Sequence, residues 1–274
     1  MGLRVNTNVL SLNAQRNLSG VTDRLAGNYS RLSSGLRIAT AADDAAGLGI
    51  SERMRAQIRS LSQAGRNAQD GVSLVQTAEG SLNEVSANLT RMRELAIQAS
   101  NGTLNTGDRA AVDNEFQQLI EEIDRIATQS DFNGISLLDD AAATIDIQVG
   151  TESGETVTIT LGDMTETGLA LDGGTFDLTN VSNAQAALAT IDAAIDSVSS
   201  FRGDLGGFQN RLLSSVRSIA TAGENLSAAE SRIRDVDVAH ETADLTRNSI
   251  MQQAAASVLA QANIQPQLAL SLLG

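Results

Sequence analysis

Two long stretches of the sequence carry an apolar residue at every third or fourth position, and this pattern constrains the fold more than any other feature. The first stretch continues from Ile50 to about Gln98, and the second from Leu188 to Ile233. The spacing predicts two α-helices, each roughly 70–80 Å long at a rise of 1.5 Å per residue. A helix of this length needs a partner along its whole length. We therefore expect a mainly α fold built on a long coiled-coil helical rod.

A shorter helix is predicted after the first long one. The loop 101–109, NGTLNTGDR, contains glycine and asparagine and reverses the chain. Apolar residues at helical spacing then run from Val112 to Ile126. Thr106 or Asp108 is expected to cap the start of this helix.

The segment that follows is strand-like and strongly acidic. The stretches 144–150 and 156–162 alternate apolar and polar residues on either side of TESGE, which predicts one small β-hairpin patch on the rod. The window 121–200 holds fifteen of the 33 acidic residues and a single base, Arg125, and so accounts for the whole formal net charge of −14. Such a segment is typical of a solvated outer face and would repel DNA and anionic lipid. We expect neither nucleic-acid binding nor membrane insertion.

The composition argues against an enzyme with a shaped pocket. Aromatic residues make up 2% of the chain and cysteine is absent, so the core must be aliphatic and the chain has no thiolate metal site. No stretch approaches the roughly 18 consecutive apolar residues of a membrane span, and residues 1–30 lack the pattern of a cleavable signal peptide. We expect no enzymatic activity and no cofactor.

Two clusters of ionisable residues qualify as candidate sites on residue type alone. His240 is the only histidine, and its acidic neighbours are Asp237, Glu241 and Asp244. With no further ligand near them in sequence, these residues are expected on a solvated helix face. The acidic residues of 121–124 lie on one helix with neither a cleft nor a nucleophile. We therefore predict no catalytic residues and no metal site.

The stretch 33–54, SSGLRIATAADDAAGLGISERM, interrupts an otherwise helical pattern. A phosphate-binding loop requires a preceding strand and a lysine, whereas this chain contains no lysine and places Asp43 and Asp44 where a phosphate would bind. Thr40, Asp43 or Asp44 is instead expected to cap the following helix, and the glycines permit close approach. The stretch is predicted to be a joint between a terminal helix and the rod.

Both ends of the chain show an amphipathic helical pattern that no third element covers. The patterns occupy 5–32 and 244–273. Exposed apolar stripes of this kind are typical of an assembly surface. The alternative is that the two helices simply pair with each other in one chain, which would still leave an apolar face outward. The residues assigned to self-assembly are Val5, Val9, Leu12, Leu18, Val21, Leu25, Leu32, Leu245, Ile250, Val258, Leu259, Leu268, Leu272 and Leu273.

Six motifs, in order along the chain, resemble those of bacterial flagellins. They are RLSSGLRIATAADDAAGLGIS, QAGRNAQDGVSLVQTAEGSL, LTRMRELAIQASNGT, DFNGISLL, ENLSAAESRIRDVDVAHETADLTR and LAQANIQPQLALSLLG. The resemblance covers both terminal thirds almost continuously and leaves mainly the acidic middle without a matching motif. It implies a short form that lacks large outer domains between its two halves.

The resemblance implies a structural subunit that self-polymerises into the extracellular flagellar filament used for motility. The N- and C-terminal helices would pair as an inner coiled coil that forms the inner tube. A discontinuous domain of 1–44 and 236–274 would contain these helices, and a rod domain of 45–235 would include the outer segment 131–182. The family also implies secretion by the flagellar type III export apparatus, and the cap and junction proteins as further partners.

The motif LTRMRELAIQ carries one more implication of the resemblance. In flagellins this helix face stacks on neighbouring subunits, and in some members it also contacts the innate immune receptor Toll-like receptor five. Arg91, Leu95 and Glu115 match that pattern position by position, whereas Thr90 departs from the glutamine of strongly recognised members. The receptor is thus an implied partner, and packing between subunits alone is the alternative.

Two other functions remain compatible with the sequence. A flagellar hook–filament junction protein or another axial protein would share the terminal helices. A cytoplasmic coiled-coil signalling module would share the long helices but would dimerise without forming fibres. Electron microscopy of the purified protein after seeding distinguishes a filament subunit from these alternatives.

Overall fold

The computed structural model describes residues 7–140, 143–172 and 176–271, the last six of them as backbone only. Within these residues the fold is mainly α, as predicted. The helices are α1 Val9–Ser34, α2 Ala45–Ala99, α3 Thr106–Gln129, α4 Val181–Arg234 and α5 Val238–Ser271. The strands are β1 Asp131–Phe132, β2 Ile135–Ser136, β3 Thr144–Gln148 and β4 Thr156–Thr160.

The chain divides into two compact units. The central unit is Gln57–Glu224, and the terminal unit consists of Met1–Ala56 with Asn225–Gly274. The domain boundaries predicted from the sequence, which separate 1–44 and 236–274 from 45–235, stay a prediction about the assembled protein.

The core of the central unit is built from three helices and the hairpin. The three–four spacing of apolar residues places one face of each helix in a continuous aliphatic cluster, in which each fully buried side chain contributes about 1.5–3 kcal/mol. Its largest members include Leu82, Leu89, Met92 and Leu95 from α2, Phe116 and Ile123 from α3, and Ile159 from β4. The ring of Phe116 lies 5.2 Å from that of Phe176, centroid to centroid.

The predicted β-hairpin is confirmed. Strands β3 and β4 are antiparallel, with Ile145 opposite Ile159 and Ile147 opposite Val157. Because side chains alternate along a strand, Val157 and Ile159 both point into the core while Thr158 between them faces outward. The segment after the hairpin also buries apolar side chains: Leu161, Met164, Leu169, Leu171 and Leu178. The acidic window therefore closes the core with its apolar residues and exposes carboxylates such as those of Asp139, Glu152 and Glu155.

A second, shorter strand pair was not predicted. Strands β1 and β2 pair antiparallel across Asn133 and Gly134, whose φ angles are 53° and 77°. Two consecutive residues with positive φ are typical of the type I′ turn that asparagine–glycine pairs favour. The pair buries Leu137 and Leu138, which follow it directly, in the core.

The cap of α3 differs from the prediction. Asn105, rather than Thr106 or Asp108, is the N-cap: its Oδ1 accepts a hydrogen bond from the backbone N–H of Asp108 at 2.9 Å. The Asp108 carboxylate accepts in return from the N–H of Asn105 at 3.3 Å. This is a capping box, in which the residue before the first turn and the third residue of the helix satisfy each other.

Candidate self-assembly surface

The terminal helices α1 and α5 pack against each other in antiparallel orientation. Near the start of α1, Asn8 Nδ2 donates to the carbonyl oxygen of Ala262 at 2.7 Å. Further along, Asn28 Nδ2 donates to Glu241 Oε1 at 2.5 Å. Since the first contact joins residue 8 to residue 262 and the second joins residue 28 to residue 241, the two helices run in opposite directions. The predicted pairing of the N- and C-terminal helices is confirmed.

The residues assigned to self-assembly divide into two sets. One set is buried or half-buried along the helix pair: Leu18, Val21, Leu25, Leu32, Leu245 and Leu259. The other set is exposed: Val9 (57%), Leu12 (54%), Ile250 (62%) and Val258 (58%). Val5, Leu268, Leu272 and Leu273 lie outside the residues whose side chains the structure describes.

Four further exposed apolar residues of the same helices were not in the predicted set. They are Leu10, Tyr29, Val238 and Ile264. On α5, Ile250, Val258 and Ile264 fall within about a third of the helix circumference at 100° per residue, opposite the face that carries Glu241. Val9 and Leu12 of α1, and Ile250, Val258 and Ile264 of α5, lie on the sides of the two helices that are turned away from each other, and these five residues are here named the outward apolar face.

The joint after α1 is ordered by two aspartates. Asp44 is the cap of α2, since its Oδ1 accepts from the backbone N–H groups of Ala46 at 3.0 Å and Gly47 at 2.9 Å. A Cβ on Gly47 would lie 2.5 Å from Asp44 Oδ2, so any other residue here would displace the capping carboxylate. The Asp43 carboxylate accepts from Thr40, chiefly from its backbone N–H, and these bonds lower the pKa of Asp43. Of the three predicted candidates, Asp44 caps the helix.

A second connection joins the two chain segments that lead to the terminal helices. Leu36 and Asp235 form an antiparallel bridge, and the N–H of Val236 donates to the carbonyl of Gly35 at 3.0 Å. Beside it, the buried Arg234 donates from Nη1 to Glu52 Oε1 at 2.7 Å, a hydrogen bond that lowers the pKa of Glu52. The end of α1 and the start of α5 are thus tied together at the base of the helix pair.

The prediction for the cluster around His240 is wrong at one residue. His240 is exposed, and Asp237 accepts hydrogen bonds from the first N–H groups of α5. Glu241, which was expected on the same solvated face, is buried because its side of the helix faces α1. In the described part of the chain, no group of three histidine, aspartate or glutamate side chains is arranged to hold a metal ion.

The predicted contact residues Arg91, Leu95 and Glu115 lie together in the central unit. The Arg91 guanidinium bridges Glu115 at 2.8 Å and Glu94 at 2.9 Å, and the hydrogen bond that it donates to Glu115 is the main cause of the raised pKa of Arg91. Arg91 and Glu115 are about half exposed, whereas Leu95 is 1% exposed and packs in the core beneath them. The exposed feature here is an ion-pair network that connects α2 to α3.

Comparison with known proteins identifies the family. The model described as the bacterial flagellin N-terminal helical region matches residues 5–143, and the one described as the C-terminal helical region matches residues 188–273. Together the two matches cover most of the sequence. The chain belongs to the bacterial flagellin family.

Relatives within the flagellin family match nearly the whole chain. A flagellin of Halalkalibacterium halodurans is 50% identical over 269 residues, which cover 98% of this chain and 99% of the relative. A flagellar filament 30.7 kDa core protein of Treponema maltophilum is 43% identical and covers 98% of this chain and 99% of its own length. The crystal structure of Bacillus cereus flagellin is similar at 37% identity and a TM-score of 0.51, over 60% of this chain and 94% of that one.

A search of the helices for membrane spans gives a negative result. Among the described residues of this flagellin-family chain, no helix combines the length and apolarity that crossing a bilayer requires.

Proposed function

We propose that this chain is the structural subunit of an extracellular bacterial flagellar filament used for motility, and that it is not an enzyme. The observation that carries the proposal is the outward apolar face of the paired terminal helices. Val9, Leu12, Ile250 and Val258 are each more than half exposed in a single chain. Large apolar surface left uncovered in this way is typical of a protein-interaction site.

Other copies of the same chain are the partner that fits this face. Burying each of its large side chains contributes about 1.5–3 kcal/mol per subunit. A contact between two different faces of identical subunits can repeat indefinitely, and it builds a helical filament when its rotation does not close into a ring. The relative named as a flagellar filament core protein is similar over nearly the full chain and supports this assembly.

The predicted site residues contribute to assembly in two ways. Val9, Leu12, Ile250 and Val258 are proposed to contact neighbouring subunits. The buried and half-buried set, which includes Val21 and Leu245, is proposed to act within the chain by holding α1 on α5 so that the outward apolar face is presented. In the filament, 1–44 and 236–274 would form the inner tube and 45–235 the surrounding layer.

Partners other than copies of the same chain are proposed because the sequence motifs resemble those of flagellins. The export apparatus would secrete the chain, and the junction and cap proteins would occupy the two ends of the filament. Toll-like receptor five is proposed to contact the face that carries Arg91 and Glu115, whose side chains are about half exposed. Leu95 would support that contact by fixing α2 in the core beneath it.

The two alternatives are less favoured. Half of the residues are identical to those of a flagellin over nearly the whole chain, which favours a filament subunit over a hook–filament junction or other axial protein. A cytoplasmic coiled-coil signalling module would use a dimer seam, whereas here the terminal helices already pair within the chain and still expose apolar residues.

The experiment introduces two charges on the outward apolar face. The double variant Ile250→Asp with Val258→Asp is compared with Ile250→Leu with Val258→Ile, which keeps the face apolar. We expect the aspartate variant to raise the critical concentration for seeded polymerisation about a hundredfold or more, because two apolar burials are lost. The apolar control should polymerise normally. Sedimentation and electron microscopy measure the outcome, and circular dichroism confirms that both chains fold. Normal filaments from the aspartate variant would contradict the proposal.

A further inference from the structure

Three polar residues are buried between α1 and α5, near the base of the helix pair. Asn28, Glu241 and Asn248 are each less than a tenth exposed, although the remaining contacts along the pair are mostly aliphatic. Glu241 and Asn248 are seven residues apart and so lie on the same face of α5. Asn28 lies opposite both of them on α1. These three residues are here named the register cluster.

The register cluster satisfies its own hydrogen bonds. Asn28 donates from Nδ2 to Glu241 Oε1 at 2.5 Å and accepts at Oδ1 from Asn248 Nδ2 at 2.8 Å. The second carboxylate oxygen of Glu241 lies 4.0 Å from the Arg31 guanidinium, which itself lies 3.9 Å from Asp43 in the joint. Removing the partners of a buried carboxylate strongly destabilises the fold. The arrangement of the helices that keeps these hydrogen bonds is therefore favoured over arrangements that break them.

The aliphatic contacts of the pair are less selective. Val21 and Leu25 contribute aliphatic surface, which other aliphatic residues of similar volume can cover at a modest cost. Helix α5 carries large apolar residues on more than one face, since Leu245 and Leu259 lie toward α1 while Ile250 and Val258 lie outward. A rotation of α5, or a shift by one heptad of about 10 Å, would still bury apolar surface. Apolar burial alone therefore does not select one arrangement.

We propose that Asn28, Glu241 and Asn248 set the register and the rotation of the terminal helix pair, and so determine which apolar residues remain outward. A shift of α5 by one heptad, in which Ala256 replaces Asn263 beside Ser11, would put Glu241 in the place of Asn248. The Glu241 carboxylate would then move about 10 Å along the pair, away from Arg31, and the Asn248 amide would pass Asn28 and lose its hydrogen-bond partner. A rotation that turned Ile250 toward α1 would break both hydrogen bonds of Asn28. The inference goes beyond the proposed function, because it concerns pairing within one chain and holds whether or not that chain polymerises.

Disulfide trapping tests the proposal directly, because the chain has no cysteine of its own. The pair Ser11→Cys with Asn263→Cys reports the native register, in which Ser11 Oγ donates to Asn263 Oδ1 at 2.7 Å. The pair Ser11→Cys with Ala256→Cys reports a shift of one heptad. Each pair is placed in the native chain and in the triple variant Asn28→Leu, Glu241→Leu, Asn248→Leu. Oxidation is carried out on the unassembled chain.

A matched control removes a different hydrogen bond across the same helix pair. The variant Asn8→Ala loses the part-buried bond from Asn8 Nδ2 to the carbonyl of Ala262, which lies toward the opposite end of the pair from the register cluster. Both cysteine pairs are placed in this variant as well, and we expect it to keep the native ratio of the two cross-links.

In the native chain the first cysteine pair should close and the second should not. In the triple leucine variant the ratio of native to shifted cross-link should fall about tenfold or more, because the shifted register leaves the buried Asn248 amide without its hydrogen bond in the native chain but not in the variant. An unchanged ratio would overturn the proposal. Failure of both pairs to close in the variant would also overturn it, because the cluster would then hold the helices together without choosing between registers. Neither result depends on polymerisation.

Discussion

Both units contain amphipathic helices, but the central unit buries their large apolar side chains whereas the terminal unit leaves many of them exposed. In the central unit, large side chains such as Leu82, Leu89 and Phe116 are completely buried within one chain. Among the described residues of the terminal unit, the buried hydrophobic side chains are mostly small: Ala14, Val21, Ile38 and Ala262. Most of the large exposed hydrophobic residues of the described chain belong to this same unit. Comparable sequence patterns thus give a complete core in one unit and an uncovered surface in the other.

The difference follows from the number of elements that each unit brings together. The central unit surrounds its core with three helices, the hairpin and the segment that follows it. The terminal unit places one helix on one helix, and a pair can cover only one side of each. We infer that the central unit derives its stability from the single chain, whereas the terminal unit completes its burial on other subunits. Substitutions at three sites sharpen this contrast.

The largest effect is expected from truncating the central core. Phe116→Ala should destabilise the central unit by about 3–5 kcal/mol, because it removes a fully buried ring and leaves a cavity. Its melting temperature should fall by about 10 °C, as measured by circular dichroism. The critical concentration for polymerisation should change little when it is measured well below the new melting temperature. A melting temperature within about 2 °C of the native value would contradict the assignment of this core to the single chain.

A smaller effect of the opposite kind is expected in the terminal unit. Val21→Ala removes two methyl groups from the α1–α5 contact, worth about 1.5 kcal/mol. The main melting transition should stay unchanged because it reports the central unit, while the critical concentration for polymerisation should rise about tenfold. Sedimentation at several protein concentrations measures the shift. If Val21→Ala instead lowered the melting temperature as Phe116→Ala does, the two units would not differ as proposed.

The smallest effect is expected at an exposed ion pair of the central unit. Arg93 Nε lies 2.7 Å from Asp192 Oδ1, and this hydrogen bond holds the pKa of Asp192 below its ordinary value of about 3.9. A lowered carboxyl pKa stabilises the fold above the unfolded pKa, and that contribution is lost as the pH falls through the folded pKa. Asp192→Asn should therefore melt slightly below the native chain at pH 7, and the difference should vanish at acid pH.

The partner substitution serves as the control for this pair. Arg93→Gln should reproduce the loss at pH 7, and the double variant should lose no more than either single variant, because both changes break the same interaction. A difference that persisted at acid pH would show that Asp192 contributes through packing rather than through its charge.

The sequence predicted the elements that depend on periodicity. Continuous spacing from Ile50 onward gave α2, and alternation around Ile145 and Ile159 gave the hairpin, because both patterns are set by the local geometry of the backbone. The pair β1–β2 was missed although Asn133–Gly134 is a recognised turn signal. Its strands are two residues long and give no alternation to detect.

The candidate site was predicted less completely, since exposure depends on which face of a helix is covered. Val9 and Val21 share the apolar pattern of α1, yet one is exposed and the other is buried against α5. Glu241 was expected in solvent because glutamate usually is, and only the position of Asn28 on the facing helix explains its burial. Pairing between residues more than two hundred positions apart leaves no local signal in a single sequence.

Hydrogen exchange measured on the unassembled chain and on the polymer tests the central claim most directly. In the unassembled chain, we expect the amides of 9–34 and 238–264 to exchange about a hundredfold or more faster than those of α2 around Leu89, since few buried contacts protect them. On polymerisation the terminal amides should become about as slow as the central ones, while the central amides should change little. Terminal helices that are already as protected as α2 in the unassembled chain, or that gain no protection in the polymer, would contradict the account.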